Sequence, residues 1–292
     1  MQRPNRRAVL AAALGTTTTG GALPAARRAS ARGPVRFGLT PVFLDSDLEL
    51  LRDLEDYLVR ALGAGVQLVK RRTYQEVMAL LLSGQLDAAW VCGYPYVQHA
   101  DRLALLAVPL HRGRPLYQSY LIADAAAPAA ASIDDLRGRS HAFADPDSNS
   151  GFLATRWLLA RRGATPGSFF SRSFYAYGHR NVIRAVGAGL ADSGSVDGYV
   201  WEVMAEREPD LTRRTAVVAR SDWHGFPPVC CLADERPGPV AGAIADALID
   251  MARSSLGERV LGALRLDGFA SCGPELFGSI ARMTADVRAA AG

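Results

Sequence analysis

The chain has 292 residues, 49% of them hydrophobic and 21% charged, which is enough apolar material for two ordinary domains and excludes a disordered or fibrous protein. Its formal charge of +4 misleads about partners, because the first 32 residues hold Arg3, Arg6, Arg7, Arg27, Arg28 and Arg32 and no acid. Removal of residues 1–31 brings the charge to about −1, so nothing drives the protein toward nucleic acid or an acidic membrane.

The opening MQRPNRRAVLAAALGTTTTGGALPAARRASA has the parts of an export signal: arginines, an apolar run from Ala8 to Leu14, and small residues ending Ala29-Ser30-Ala31. Arg6-Arg7 before Ala-Val-Leu predicts the twin-arginine type, with a plain secretory signal as the alternative. The apolar run is far shorter than the ~20 residues of a membrane span, and no later segment reaches that length. The first cysteine is Cys92, so no lipid anchor is placed near the cleavage zone. A soluble periplasmic protein with its signal removed and no direct membrane insertion is expected.

VRFGLTP (35–41) reads as a strand running into a loop. Ser46 and Glu49 then stand at capping-box spacing, ahead of Leu48, Leu51, Leu54, Leu58 and Leu62 at helical periods. VQLV (66–69) is a second strand, YQEVMALLLSG a helix stopped by Gly84, and LDAAWV (86–91) a third strand. LALLAVP and YQSYLIA give two more. Past the small-residue stretch ADAAAPAAAS come SHAFAD as strand, a turn, a helix to about Arg161, another from His179 to Leu190, and SVDGYV as strand. TAVVARS (215–221) is a candidate return crossover, PVCCLAD another strand, and helices follow to the end. Alternating strands and helices predict an α/β fold with a mostly parallel sheet. They divide into one lobe from 34–122 plus 222–292 and a second from 123–221, joined by two crossover strands that form a hinge over a ligand cleft.

No G-x-S-x-G elbow, H-E-x-x-H, Walker loop or G-x-G-x-x-G is present, so binding is favoured over turnover and a secreted enzyme of unrecognised class is the lesser alternative. His99, His111, His141, His179 and His224 lack metal spacing, and no metal or cofactor is expected. Cys92, Cys230, Cys231 and Cys272 form no C-x-x-C; a bridge from Cys272 to Cys230 or Cys231 is allowed in an oxidising compartment.

DPDSNSG (145–151) runs directly into the helix FLATRWLLARRG. Asp147, Ser148 and Asn149 are ordinary N-cap residues. The sharper reading is an anion cradle, in which free N–H groups, hydroxyls and the helix dipole meet a bound oxyanion.

RTYQEVMALLLSGQLDAAWV, GRPLYQSYLIA, FADPDSNSGFLATRWLL and YGHRNVIRAVGAGLADSGSVDGYVWE, in this order, resemble the PhnD-like substrate-binding proteins of phosphate, phosphite and phosphonate ABC transporters. The resemblance spans roughly residues 34–270 and implies a two-lobed periplasmic-binding-protein fold, closing around a small oxyanion for an ABC permease. It places the family's Ser-Thr-Ser run on Ser148, Asn149 and Ser150, with Asn for Thr, and implies hydrogen-bonding roles for Tyr74, Tyr117 and His179. Members that take aminophosphonates carry an acid before the late P-x-V strand. WHGFPPVCC has none between Trp223 and Cys231, which disfavours an aminoalkylphosphonate; Glu202 is a candidate substitute. Cys92, just past a strand end, opens an alternative. Some relatives of similar build are periplasmic sensors of arsenic oxyanions that use a cysteine in this region and signal to a membrane histidine kinase. Buried packing is the bland reading of that cysteine.

Overall fold

A computed structural model describes residues 33–41, 48–126, 130–235 and 238–290. Residues 1–31, where an export signal is expected, and Ser46 lie outside the described residues.

In the first lobe β1 (Val35–Leu39) pairs in parallel with β2 (Val66–Lys70) and β3 (Ala88–Trp90), with α1 (Leu48–Leu62) and α2 (Tyr74–Leu82) making the crossovers. α1 buries Leu50, Leu51, Leu54, Tyr57 and Leu58, whereas Leu48 is 62% exposed, so the apolar stripe is set by Leu50 rather than Leu48. α2 opens on a capping box: Thr73 accepts from the Glu76 N–H, and the Glu76 carboxylate accepts from the Thr73 N–H. After β3 comes α3 (Gly93–Gln98), then β4 (Leu103–Leu110) and the two-residue β5 (Leu116–Tyr117).

β6 (Ser119–Asp124) begins the second sheet. There β7 (Ser140–Phe143) leads to a π-helical turn (Asn149–Leu153) continuous with α4 (Ala154–Ala160), followed by α5 (Pro166–Phe169) and β8 (Arg172–Tyr175). α6 (His179–Gly187), β9 (Ser193–Asp197), α7 (Gly198–Arg207), α8 (Pro209–Thr212) and β10 (Thr215–Arg220) complete this lobe, with strand order β10-β6-β9-β7-β8. The chain returns through β11 (His224–Gly225), which pairs with β5, to β12 (Val229–Leu232), α9 (Pro239–Ile249), α10 (Ser255–Leu264), β13 (Gly268–Ala270) and α11 (Gly278–Ala289). The first sheet is ordered β13-β4-β12-β3-β1-β2.

Three expectations are corrected. The sheets are mixed rather than mostly parallel, because the returning strands β12, β13 and β10 and the crossing strand β6 pair antiparallel. YQSYLIA is two strands, not one. Its break at Gln118 lies between strands of different sheets, so the first crossing falls at Gln118 rather than after Ile122. SVDGYV is a strand only to Asp197, whose carboxylate accepts from the Tyr199 and Val200 N–H groups and so starts α7. All four cysteines are free, which leaves the allowed Cys272 bridge unmade.

Candidate functional site

The turn between β7 and α4 is where the two lobes approach. Asp145 opens it and makes three backbone bonds: its side chain accepts from the Asp147 N–H at 2.8 Å and the Tyr74 N–H at 3.3 Å, and its carbonyl accepts from the Ser148 N–H at 3.0 Å. The bond to Tyr74 ties this turn of the second lobe to the N-terminus of α2 in the first. Ser148 caps the next turn, its Oγ accepting from the Gly151 N–H at 2.9 Å. A π-turn leaves its first N–H groups without intrahelical acceptors, and such turns gather at functional sites. Gly151 is required here: a Cβ would strike that of Ala144 and would lie 2.9 Å from Ser148 Oγ and 3.1 Å from His179 Cε1.

Around this turn the fold brings together all seven residues singled out from the sequence. The Asn149 N–H donates to Cys92 Sγ at 3.2 Å, and Asn149 Nδ2 donates to Tyr117 Oη at 2.9 Å. The Ser150 carbonyl accepts from Ser119 Oγ at 2.7 Å. His179 Nε2 lies 3.3 Å from Tyr74 Oη. These residues come from different elements, Tyr74 from α2, Cys92 from the start of α3, Tyr117 from β5 and His179 from α6, yet each is at most 5% exposed. The cage is shut between the lobes.

The hydrogen-bond partners fix the histidine's tautomer. The Asp197 N–H donates to His179 Nδ1 at 3.0 Å, so Nδ1 accepts and the proton of the neutral ring sits on Nε2, directed at Tyr74. Burial holds the ring neutral, with its pKa lowered to about 3. Burial likewise raises the Cys92 thiol to about 12, keeping it protonated at neutral pH, and pushes Tyr74 and Tyr117 well above the ordinary phenol range. The site is therefore a set of uncharged donors: two phenols, hydroxyls, an amide, an imidazole N–H and backbone N–H groups.

Two carboxylates escaped the sequence reading. Asp145 holds the turn and Asp197 positions His179 through its backbone. Burial raises both, Asp197 to about 7. Asp145 stands inside the DPDSNSG motif and was legible as an Asx-type cap. Asp197 gave no signal beyond an acid before a glycine. Glu202, the candidate partner for a substrate amine, is already engaged: Arg112 approaches it at 3.0 Å, His111 lies 3.7 Å away, and Tyr120 donates to it at 2.5 Å. Open cavities of about 500 and 930 Å³ flank the crossovers, but of the seven residues only Tyr117 borders either of them. Among the described residues no cluster of three or more His, Cys, Asp or Glu side chains is placed to hold a metal ion, and no helix is long and apolar enough to cross a membrane.

Two α/β lobes joined by paired crossovers, with a buried polar cage where they meet, give the two-lobed fold of periplasmic binding proteins. Residues 37–276 match the family described as "ABC transporter, phosphonate, periplasmic substrate-binding protein", and the chain belongs to that family. It is similar to the phosphate-import protein PhnD of Mycolicibacterium smegmatis, at 29% identity over 195 residues, which are 62% of this chain and 61% of that relative. Its fold is shared with a binding component of an ABC phosphonate transporter from Pseudomonas aeruginosa (TM-score 0.78, 18% identity, 89% of this chain and 88% of that one). It is shared also with PhnD1 of Prochlorococcus marinus in complex with methylphosphonate (TM-score 0.76, 15% identity, 87% and 98%).

Proposed function

We propose that the chain is an exported solute-binding protein that closes on one small phosphorus oxyanion, phosphate, phosphite or a small alkylphosphonate, and presents it to an ABC permease. The observation that carries this is the cage itself: neutral donors from both lobes converge on the Ser148-Asn149-Ser150 turn, where the positive end of the helix dipole favours an anion. Ser148, Asn149 and Ser150 form the floor, and Tyr74, Tyr117 and His179 the walls. An aminoalkylphosphonate is disfavoured because Glu202 is neutralised by Arg112 and turned to Tyr120. Family membership and the PhnD relative support the permease as partner.

The arsenite-sensing alternative gains little. Trivalent arsenic is held best by several thiolates together, whereas Cys92 is the one thiol among the cage residues, is kept protonated by burial, and its sulfur already accepts the Asn149 N–H. Cys230 and Cys231 lie on β12, fully buried.

The test is the double variant Ser148→Ala with Ser150→Ala, titrated calorimetrically with phosphate, phosphite and methylphosphonate. Loss of two hydrogen bonds to a charged ligand, each worth about 1.5–3 kcal/mol, is expected to lower affinity by at least two orders of magnitude in a protein that still melts cooperatively. Unchanged affinity would remove the turn from the binding site.

A further inference from the structure

Asn149 occupies the centre of the cage and is fully buried, and its two amide atoms are unequally served. Nδ2 donates to Tyr117 Oη, while Oδ1 is a buried acceptor with no donor among the described residues. Buried amide oxygens are rarely left so, because the lost hydration is not recovered. The cage is otherwise rich in donors. Tyr74 and Tyr117 offer phenol protons, Ser148 offers its hydroxyl proton, and His179 Nε2–H points at Tyr74 Oη. An aprotic ligand would satisfy those donors and leave Oδ1 stranded. A ligand that also carries a hydroxyl would satisfy it.

The charges around the cage lean the same way. None of the seven residues carries a positive charge at neutral pH, since His179 is held neutral. The charged groups that act most strongly on Tyr74 and Cys92 are Asp145, at the turn, and Asp197, at the end of β9; both are acids. β6 meets the turn through the uncharged Ser119. α11 also packs on it, but its Asp286 accepts from Trp157, and its Arg288 acts with Arg156 on Tyr94. One negative charge can be spread over the dipoles of the cage. A second would meet two buried carboxyl groups and no cation.

The geometry points to Asn149 as the residue that selects the singly charged, proton-bearing form of the oxyanion, its Oδ1 accepting from the ligand's P–O–H while the unprotonated oxygens take the cage donors. This rests on the oxyanion reading of the cleft. The reverse amide orientation, with Tyr117 donating to Oδ1 and Nδ2 turned on the ligand, would favour the doubly charged form instead.

Calorimetric titration of the full mature chain from acid to mildly alkaline pH separates the two. The probes are methylphosphonate, its difluoromethyl analogue, whose second ionisation falls at lower pH, and sulfate, a tetrahedral dianion without a proton. The expected result is an association constant that falls about tenfold per pH unit above each ligand's own second pKa, with the break moving between the two phosphonates, and no binding of sulfate. Asn149→Thr, whose hydroxyl can rotate to donate or accept, is expected to fold, as judged by its unliganded melt, and to flatten the profile. Equal affinity on both sides of the second pKa overturns the inference, as does a break at one fixed pH for both ligands, which would implicate Asp197 or another protein group. A break unchanged in Asn149→Thr overturns it too. Failure of both phosphonates, of inorganic phosphate and of phosphite to bind at any pH would instead bring down the oxyanion reading beneath it.

Discussion

His179 donates from Nε2 because its other nitrogen is occupied by the Asp197 N–H, and it stays neutral because it is buried. In the proposed binding mode it gives one hydrogen bond to a charged ligand, so His179→Ala is expected to weaken affinity by about 10- to 100-fold. An equal loss at pH 6 and pH 8 is expected from calorimetry; a loss confined to pH 6 would mean the ring binds as imidazolium. A second histidine, His141, lies in the core of the second lobe between Ser193 and Ser195 and stacks on Phe170, its pKa lowered to about 3 by burial. Its sign is clear. Between the ordinary histidine pKa and about 3 the unfolded chain binds a proton that the folded one refuses, so stability falls as pH drops through that window. The slope is at most about 1.4 kcal/mol per pH unit for this group. Asp197 acts oppositely, because a raised carboxyl keeps its proton in the folded state up to about pH 7. His141→Gln is therefore expected to flatten the acid limb of a urea-midpoint-against-pH plot, and an unaltered limb would place the proton uptake elsewhere.

At the scale of the element, the cage depends on how closely the π-turn lies under β7. Gly151→Ala places a methyl against Ala144 and within 3.1 Å of the His179 ring. Backbone must shift, at a cost of about 1–3 kcal/mol in stability, and the displaced donors are expected to cost more in affinity than in melting temperature. Comparing the melt with a phosphonate titration checks this; full affinity would show that the turn adapts. This turn was legible in the sequence because its signals are local: DPDSNSG holds an Asx cap, a serine cap and a glycine, and a helical pattern follows. Tyr74, Tyr117 and His179 carry no local signal, and only the family resemblance marked them. The break in YQSYLIA was hidden for a physical reason. Tyr117 and Ser119–Asp124 read as one strand-forming segment with no glycine or proline to divide it, while the change of sheet at Gln118 is made by tertiary partners, β11 on one side and β9 and β10 on the other. SVDGYV misled in the same way, since Asp197 ends the strand by capping α7, a bond that hydrophobic pattern does not encode.

Across the whole molecule, the cage is sealed by contacts that cannot survive separation of the lobes. Trp157 Nε1 on α4 donates to Asp286 on α11 at 2.8 Å, Tyr199 Oη donates to the Leu264 carbonyl at 2.5 Å, and Arg265 meets Glu206 at 3.0 Å. A ligand that binds only the closed form must supply the closing free energy, and each such contact lightens that requirement. Trp157→Phe removes one neutral-to-charged hydrogen bond and is expected to lower affinity by roughly 3- to 30-fold with little change in the cage, readable as a larger radius of gyration in the unliganded protein. The measurement that bears most directly on the account is the melting temperature of the reduced protein against phosphate, phosphite, methylphosphonate and arsenite. Ligand at 100 times its dissociation constant adds about 2.7 kcal/mol, which for a chain of this size is a rise of roughly 5–10 °C. A rise with at least one phosphorus oxyanion, retained in Cys92→Ser and lost in Ser148→Ala with Ser150→Ala, is the predicted result. A rise with arsenite alone, erased by Cys92→Ser, would contradict it.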